Sequence, residues 1–355
     1  MKHRRDGLGS EAEQYHAYIR GKVLLVVLLA AALLVGVVAA VAIGSIKLPL
    51  SAVLSYLLRF DRSGQGRIVW DVRLPRVLAA LLVGASLSLS GTMMQSVLRN
   101  PLASPYTLGL SSAAAFGASV AIVLFGAGTS TSTTIIVSDF FTVAASAFIF
   151  SLLSTLAILL LTVLTTISAQ SMVLAGIAIG SIFSAGLTLM QYLANSVQLS
   201  AIVSWTFGDL GRASWRSLLI IAGALVPVLI ISLFYRWDFN AMDSGEESAK
   251  GLGVRTGALR IGGMLAASLL SAVVVSYFGT IAFIGLLGPH IARRLFGSDH
   301  RFLLVASPLI GALVLLAADT LARTILTPMV LPVGILTSLL GGPLFIYLLI
   351  AGRQR

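Results

Sequence analysis

Val77–Leu98 reads VLAALLVGASLSLSGTMMQSVL and carries no charge between Arg76 and Arg99. Its length matches the roughly 20 apolar residues that a helix needs to cross the hydrocarbon of a bilayer. Gly84 and Ser88 lie four apart, the spacing that lets helix backbones approach closely in a membrane. A single helix of this kind has no place in a soluble core, so the rest of the chain is read for companions.

Companions are plentiful. Val23–Ile43, Thr107–Phe125, Leu218–Tyr235 and Phe302–Ala318 are uncharged, and Thr324–Gly352 is uncharged after the prolines Pro328 and Pro332. Ile261–Ala292 is long enough for one span and the start of another, and Phe140–Gly208 divides into two near Thr165–Gln170. About ten spans result, some of them short. Of 355 residues, 57% are hydrophobic and 10% charged, against roughly 25% charged in a soluble domain. The expected fold is an all-α membrane protein: a polar tail over 1–22, then a transmembrane unit over 23–352. Val23–Ile43 is too long for a signal-peptide core and reads as a retained first span.

The net charge of +11 fits basic residues flanking membrane helices better than nucleic-acid binding. Lys2, Arg4, Arg5, Arg20 and Lys22 place the N-terminus in the cytoplasm. An even number of spans then places the C-terminus there too, in a plasma (cell inner) membrane. Lys47, Arg59, Arg62, Arg67, Arg73 and Arg76 crowd one outer loop, against that orientation rule.

Several chemistries lack their residues. Cysteine is absent, the four histidines show no ligand spacing, and no GxxxxGK[ST] loop cradles a phosphate. Of the acidic residues, Asp139 and Asp319 fall at or near span ends, which weighs against an ion-driven carrier with buried carboxylates. No catalytic cluster, cofactor motif or metal site is expected, so a chain that transports on ATP must borrow its ATPase.

Arg236–Arg260 is the most informative cytoplasmic stretch. Ser244-Gly245-Glu246-Glu247 matches a capping box, with a hydroxyl at the cap and a carboxylate three residues on. Lys250 follows, and Gly251 and Gly253 supply stop signals. The expectation is a helix of about two turns, marginal alone and therefore docked on a partner. At the other side, Arg73 and Arg76 flank Leu74-Pro75 at the start of a span and can share a helix face. They could bind carboxylates of an external protein, with Arg323 joining them. Gly176, Gly180 and Ser184 are four apart and read as helix packing within the subunit.

These motifs resemble a known family. RLPR (Arg73–Arg76), GASLSLSGTMMQ (Gly84–Gln95), RNPLASPYTLG (Arg99–Gly109), NAMDSGEESAKGLGV (Asn240–Val254), FGTIAFIGLLGPHIARRLFGSDHR (Phe278–Arg301), LLAADTLAR (Leu315–Arg323) and LPVGILTSLLGGPLFIYLL (Leu331–Leu349) resemble the FecCD-type ABC importer permeases. That family carries iron siderophores, haem and vitamin B12. The resemblance implies a vitamin B12 permease-like fold (type II importer) with ten helices per subunit. It implies a second permease subunit, two cytoplasmic ABC ATPase subunits and an extracytoplasmic binding protein. By the same resemblance the ATPase docks on the loop containing Ser244, Gly245, Glu246, Glu247, Ala249, Leu252 and Gly253, and the binding protein's glutamates meet Arg73, Arg76 and Arg323. The cargo expected first is an iron(III)-siderophore, with haem or cobalamin as alternatives. Val330 stands where many members carry glutamate, so no role is given to that carboxylate.

Overall fold

The computed structural model describes residues 2–44, 49–60, 64–131, 134–137, 140–165, 169–326 and 329–352. Asp139, Lys47, Arg62 and Pro328, and the centre of the break expected near Thr165–Gln170, lie outside the described residues.

The chain is helical almost throughout. Its first half holds α1 (Lys2–Ala42), α2 (Leu50–Leu58), α3 (Gln65–Arg67), α4 (Leu74–Val97), α5 (Leu110–Leu124), α6 (Phe140–Thr165) and α7 (Ala169–Leu193). Its second half holds α8 (Ser196–Thr206), α9 (Trp215–Phe234), α10 (Arg236–Asp243), α11 (Glu246–Gly251), α12 (Thr256–Phe278), α13 (Ile284–Phe296), α14 (His300–Ala322) and α15 (Val333–Gly352). A small antiparallel ribbon, β1 (Gly128–Thr131) with β2 (Thr134–Val137), occupies part of the Gly/Ser/Thr loop after α5. Among the described residues, seven helices are long and apolar enough to cross a membrane. The shorter α5, α13 and α15 complete the set of about ten that the sequence leads one to expect.

Helix ends differ from the charge-bounded spans. The helix that contains the first span begins at Lys2, so the segment read as a tail is part of α1. Charged residues are compatible with a helix; they bound only the stretch in contact with hydrocarbon. α12 starts at Thr256 and includes Arg260, whose charge is paired. α14 runs to Ala322 through Asp319, because that carboxylate is neutralised inside the bundle. α15 begins only at Val333, just after Pro332. Pro75 stands in the first turn of α4 as expected. A π-helical turn over Ile68–Arg73 leads into it and fuses α3 and α4 into one long helix.

The bundle is assembled around α4. It packs against α14, α12, α13 and α9, and α4 and α14 are mostly enclosed, whereas α1 and α7 are mostly exposed. Small residues set the crossings. A Cβ on Gly84 would come within 2.4 Å of the Gly311 carbonyl oxygen of α14, and one on Gly91 within 1.7 Å of that of Gly285 on α13. Ser307 on α14 then meets Ser88 (2.7 Å) and Thr92 (2.7 Å) across the same seam. The Gly176, Gly180 and Ser184 stripe of α7 packs on Leu108, Gly109 and Ser112 within the same chain, as the spacing predicts.

Contacts give the helix directions. Tyr15 of α1 meets Arg301 at the start of α14, and Ala40 meets Arg323 at its end, so α1 and α14 are parallel. α4 runs against them, with Ser96 at its far end touching α10. One end of the bundle therefore carries α10, α11 and the start of α14. The other carries Arg73, Arg76 and Arg323.

Candidate functional site

α10 and α11 form an elbow between two spanning helices. α9 ends at Phe234 with Tyr235 as its cap, α10 follows, and Gly245 separates α10 from α11 with φ 122° and ψ 147°. Side chains rarely adopt that backbone, so the sharp turn depends on glycine here. The expected capping box does not form. Ser244 is still helical and ends α10, and its Oγ donates back to the Asn240 carbonyl at 3.4 Å. A capping residue needs extended backbone to turn its oxygen onto the next helix; Gly245 holds that position instead.

The two carboxylates have other partners. Glu246 accepts from Arg260 of α12 at 2.6 Å and from Thr256 at 3.5 Å, with Lys250 also 3.5 Å away. Glu247 pairs with Lys250 at 3.0 Å and is otherwise exposed. The hydrogen bond from Arg260 holds the Glu246 carboxyl below the usual range; burial opposes it, and the charges of Arg260 and Lys250 reinforce it. Lys250 is raised, first by its hydrogen bond to Glu247.

α11 has six residues, close to the expected two turns. It closes with Val254 N–H donating to Ala249 O (3.0 Å) and Gly253 N–H to Lys250 O (2.9 Å), Gly253 standing at φ 84°. That is a Schellman stop at Gly253, while Gly251 remains inside the helix. Ala249 is buried with Ala241 and Met242 against Val254 and Leu259. Leu252 and Trp237 stay exposed on the outside of the elbow.

The elbow is tied to three spanning helices. Glu246–Arg260 fastens α11 to α12. Ser96 Oγ of α4 donates to Asp243 at 3.1 Å. Asn240 Oδ1 accepts from the His300 backbone N–H at 2.8 Å and lies 3.1 Å from His300 Nδ1, while Asn240 Nδ2 donates to Asp299 at 3.2 Å. Phe239 stacks on the His300 ring. Asp299 is itself lowered below the usual carboxylate range; burial opposes this, and hydrogen bonds from Arg301 and Asn240 outweigh it. The sequence reading missed Asn240, Asp299, His300, Arg260 and Ser96. Their pairings span up to 147 residues of chain, and no local spacing reports such contacts.

The opposite end holds the three arginines expected to face outward. They point inward instead. Arg73 (6% exposed) donates to the carbonyls of Val41 and Ala42 at 2.9 and 3.0 Å. Arg323 (7% exposed) donates to Ile43 and Ala40 and lies 3.0 Å from Asp319. Arg76 donates to Asp319 at 2.8 Å and lies 3.6 Å from Asp209. Asp319 is fully buried between Arg76 and Arg323. The last carbonyls of α1 lack helical partners and attract cations, and a buried carboxylate demands them. These internal acceptors explain why the guanidinium groups do not stand free at the surface. Val330, nearby in sequence, is exposed.

Comparison with known proteins fits this architecture. Residues 32–351 match the FecCD transport family. The chain is 46% identical over 344 residues to a provisionally named ABC transporter permease of Methanocaldococcus jannaschii, covering 97% of this chain and 99% of that one. It is 38% identical over 289 residues to the hemin transport system permease of Yersinia pestis, covering 81% and 84% of the two chains. Its fold superposes with TM-score 0.79 at 31% identity on a solved, inward-facing, provisionally assigned metal-chelate type ABC transporter, over 93% of this chain and 99% of that one. The family match runs over nearly the whole chain, and these relatives align along most of its length: the chain belongs to the FecCD transport family.

Proposed function

We propose that this chain is the membrane-spanning permease of an ATP-driven importer for an iron(III)-siderophore or similar metal chelate. The observation that carries the reading is the α10–α11 elbow. Its outer face exposes Leu252 and Trp237, while Glu246, Asp243 and Asn240 lock its inner face to three spanning helices. A push on the outside therefore reaches α4, α12 and α14 at once. Two ATPase subunits docking in the cytoplasm on Ser244–Gly253 would supply that push, and a second permease subunit would complete the path between the exposed helices. Both termini are then cytoplasmic and the arginine end faces outward. The likeness to a hemin permease keeps haem as the second cargo of choice; cobalamin follows by the family resemblance.

A binding protein would deliver the chelate at the arginine end. Since Arg73, Arg76 and Arg323 are engaged from within, their part in docking is to brace the rim formed by the end of α1 and the end of α14. The test is reconstitution in liposomes with a partner ATPase and binding protein. Uptake of a radio-iron-loaded siderophore should require ATP hydrolysis and the binding protein. Uptake driven by an ion gradient without the ATPase excludes the proposal.

A further inference from the structure

A polar pocket lies beside the elbow. It has a volume of about 240 Å³ and is lined by Gln95, Arg99, Asn100, Pro101, Asp243 and Arg293. Its donors are arranged with some constraint. Arg293 of α13 donates to Gln95 Oε1. That bond orients the amide, because only the carbonyl side of a glutamine can accept. Gln95 Nε2 is left buried without a partner on a side chain 3% exposed. An unfilled buried amide donor is costly, and few remain in native proteins.

Arg99 is the second peculiarity. It follows the end of α4 with φ 46°, a left-handed backbone in a residue that is not glycine, and such backbone is strained. Its guanidinium lies 4.0 Å from where a Cβ on Gly245 would stand, at the first turn of α11. It has no salt-bridge partner among the described residues. Around the pocket, Arg99 and Arg293 supply two positive charges and Asp243 one negative charge. Asp243 is already engaged by Ser96 at 3.1 Å and faces His300 at 3.6 Å. The surplus is a single positive charge beside an unfilled N–H donor, which matches one carboxylate rather than a doubly charged phosphate.

We propose that Arg99, Arg293 and Gln95 form a carboxylate site that receives one acidic side chain of the cytoplasmic ATPase. This rests on the function proposed above and adds a specific anchor to it, at the hinge between α4 and the elbow. The bound carboxylate would fill Gln95 Nε2, neutralise Arg99 and tie the ATPase directly to the end of α4.

The experiment measures the affinity of the detergent-purified permease for its purified ATPase at low salt. Arg99→Glu should weaken binding at least tenfold, about 1.4 kcal/mol. Arg294→Glu, on an exposed neighbour outside the pocket, should stay within twofold of the wild type. Arg99→Asn, which suits left-handed backbone, is the second variant should Arg99→Glu fail to fold. It should weaken binding at least threefold. One Asp or Glu to Arg substitution in the ATPase should restore binding to Arg99→Glu. The inference is overturned if Arg99→Glu and Arg99→Asn bind like wild type, if Arg294→Glu loses as much, or if no acidic ATPase residue restores binding. Acetate that saturates the pocket without weakening ATPase binding also overturns it, pointing to a free carboxylate as occupant. Wild-type permease that does not bind the ATPase at all would instead refute the function proposed above.

Discussion

Asp319 shows how a single residue can hold different helices together. It is buried between Arg76 of α4 and Arg323 at the end of α14, and Arg323 also donates to carbonyls at the end of α1. Removing one member of a buried charge set leaves its partners uncompensated, at a cost of about 3–5 kcal/mol. Asp319→Ala should therefore sharply lower the detergent melting temperature. Arg67→Ala, which breaks an exposed pair with Asp71 at 3.7 Å, should cost less than about 1 kcal/mol. Equal losses would contradict the internal role of Asp319. Glu246 offers a pH test. Its folded carboxyl lies below its ordinary range, chiefly through Arg260. The stabilisation is thus complete above the unfolded pKa and is lost as pH falls through the depressed folded value. The melting-temperature gap between wild type and Glu246→Gln should hold steady from neutral pH to the ordinary carboxylate range and close below it. A gap that widens in acid would refute the clamp. The sequence marked Glu246 and Glu247 as the acids of this helix. It read Glu247 as the capping carboxylate and both acids as favoured by the helix start, because local spacing cannot reveal Arg260, which arrives from the next span to pair with Glu246.

At the scale of elements, the apolar stretches made the spanning helices legible, and charges misplaced some of their ends. The reason is physical: a charge ends a span only when it must stay in water, and Asp319 and Arg260 are satisfied by partners instead. Small-residue spacing proved informative, since Gly84, Gly176 and Gly180 all lie at close crossings. Gly91 is the tightest of these positions. With a Cβ 1.7 Å from the Gly285 carbonyl oxygen, Gly91→Ala must push α13 away from α4, at about 1–3 kcal/mol or more. Gly223 in α9 has nothing within 4 Å of the corresponding position. Gly223→Ala should be neutral or stabilise by about 0.5–1 kcal/mol. Melting temperature and the yield of monodisperse protein read both variants; a well-folded, unshifted Gly91→Ala would show that the α4–α13 seam is loose.

At the scale of the whole molecule, the two ends are built for different work. At one end Arg73, Arg76 and Arg323 are consumed from within, by Asp319 and by the carbonyls of α1. The other presents an elbow fixed on its inner face and open on its outer face, beside a pocket with a surplus positive charge. The proposed transport cycle uses this polarity, and the reconstitution experiment tests it as a unit, since neither end can be assayed for uptake alone.

Sequence alone determined that the chain inhabits a membrane as a bundle of about ten spanning helices, and it singled out a loop and three arginines as candidates. Those conclusions follow from local hydropathy and ordered motifs, which need no knowledge of distant contacts. Tertiary structure decided which partners the marked residues meet, Glu246 clamping α12 and Arg73 and Arg323 capping α1, and it added Asn240, which holds α14. Charged and hydrogen-bonding side chains take their roles from whichever partner the fold brings within about 3 Å, and in this bundle those partners lie far away along the chain.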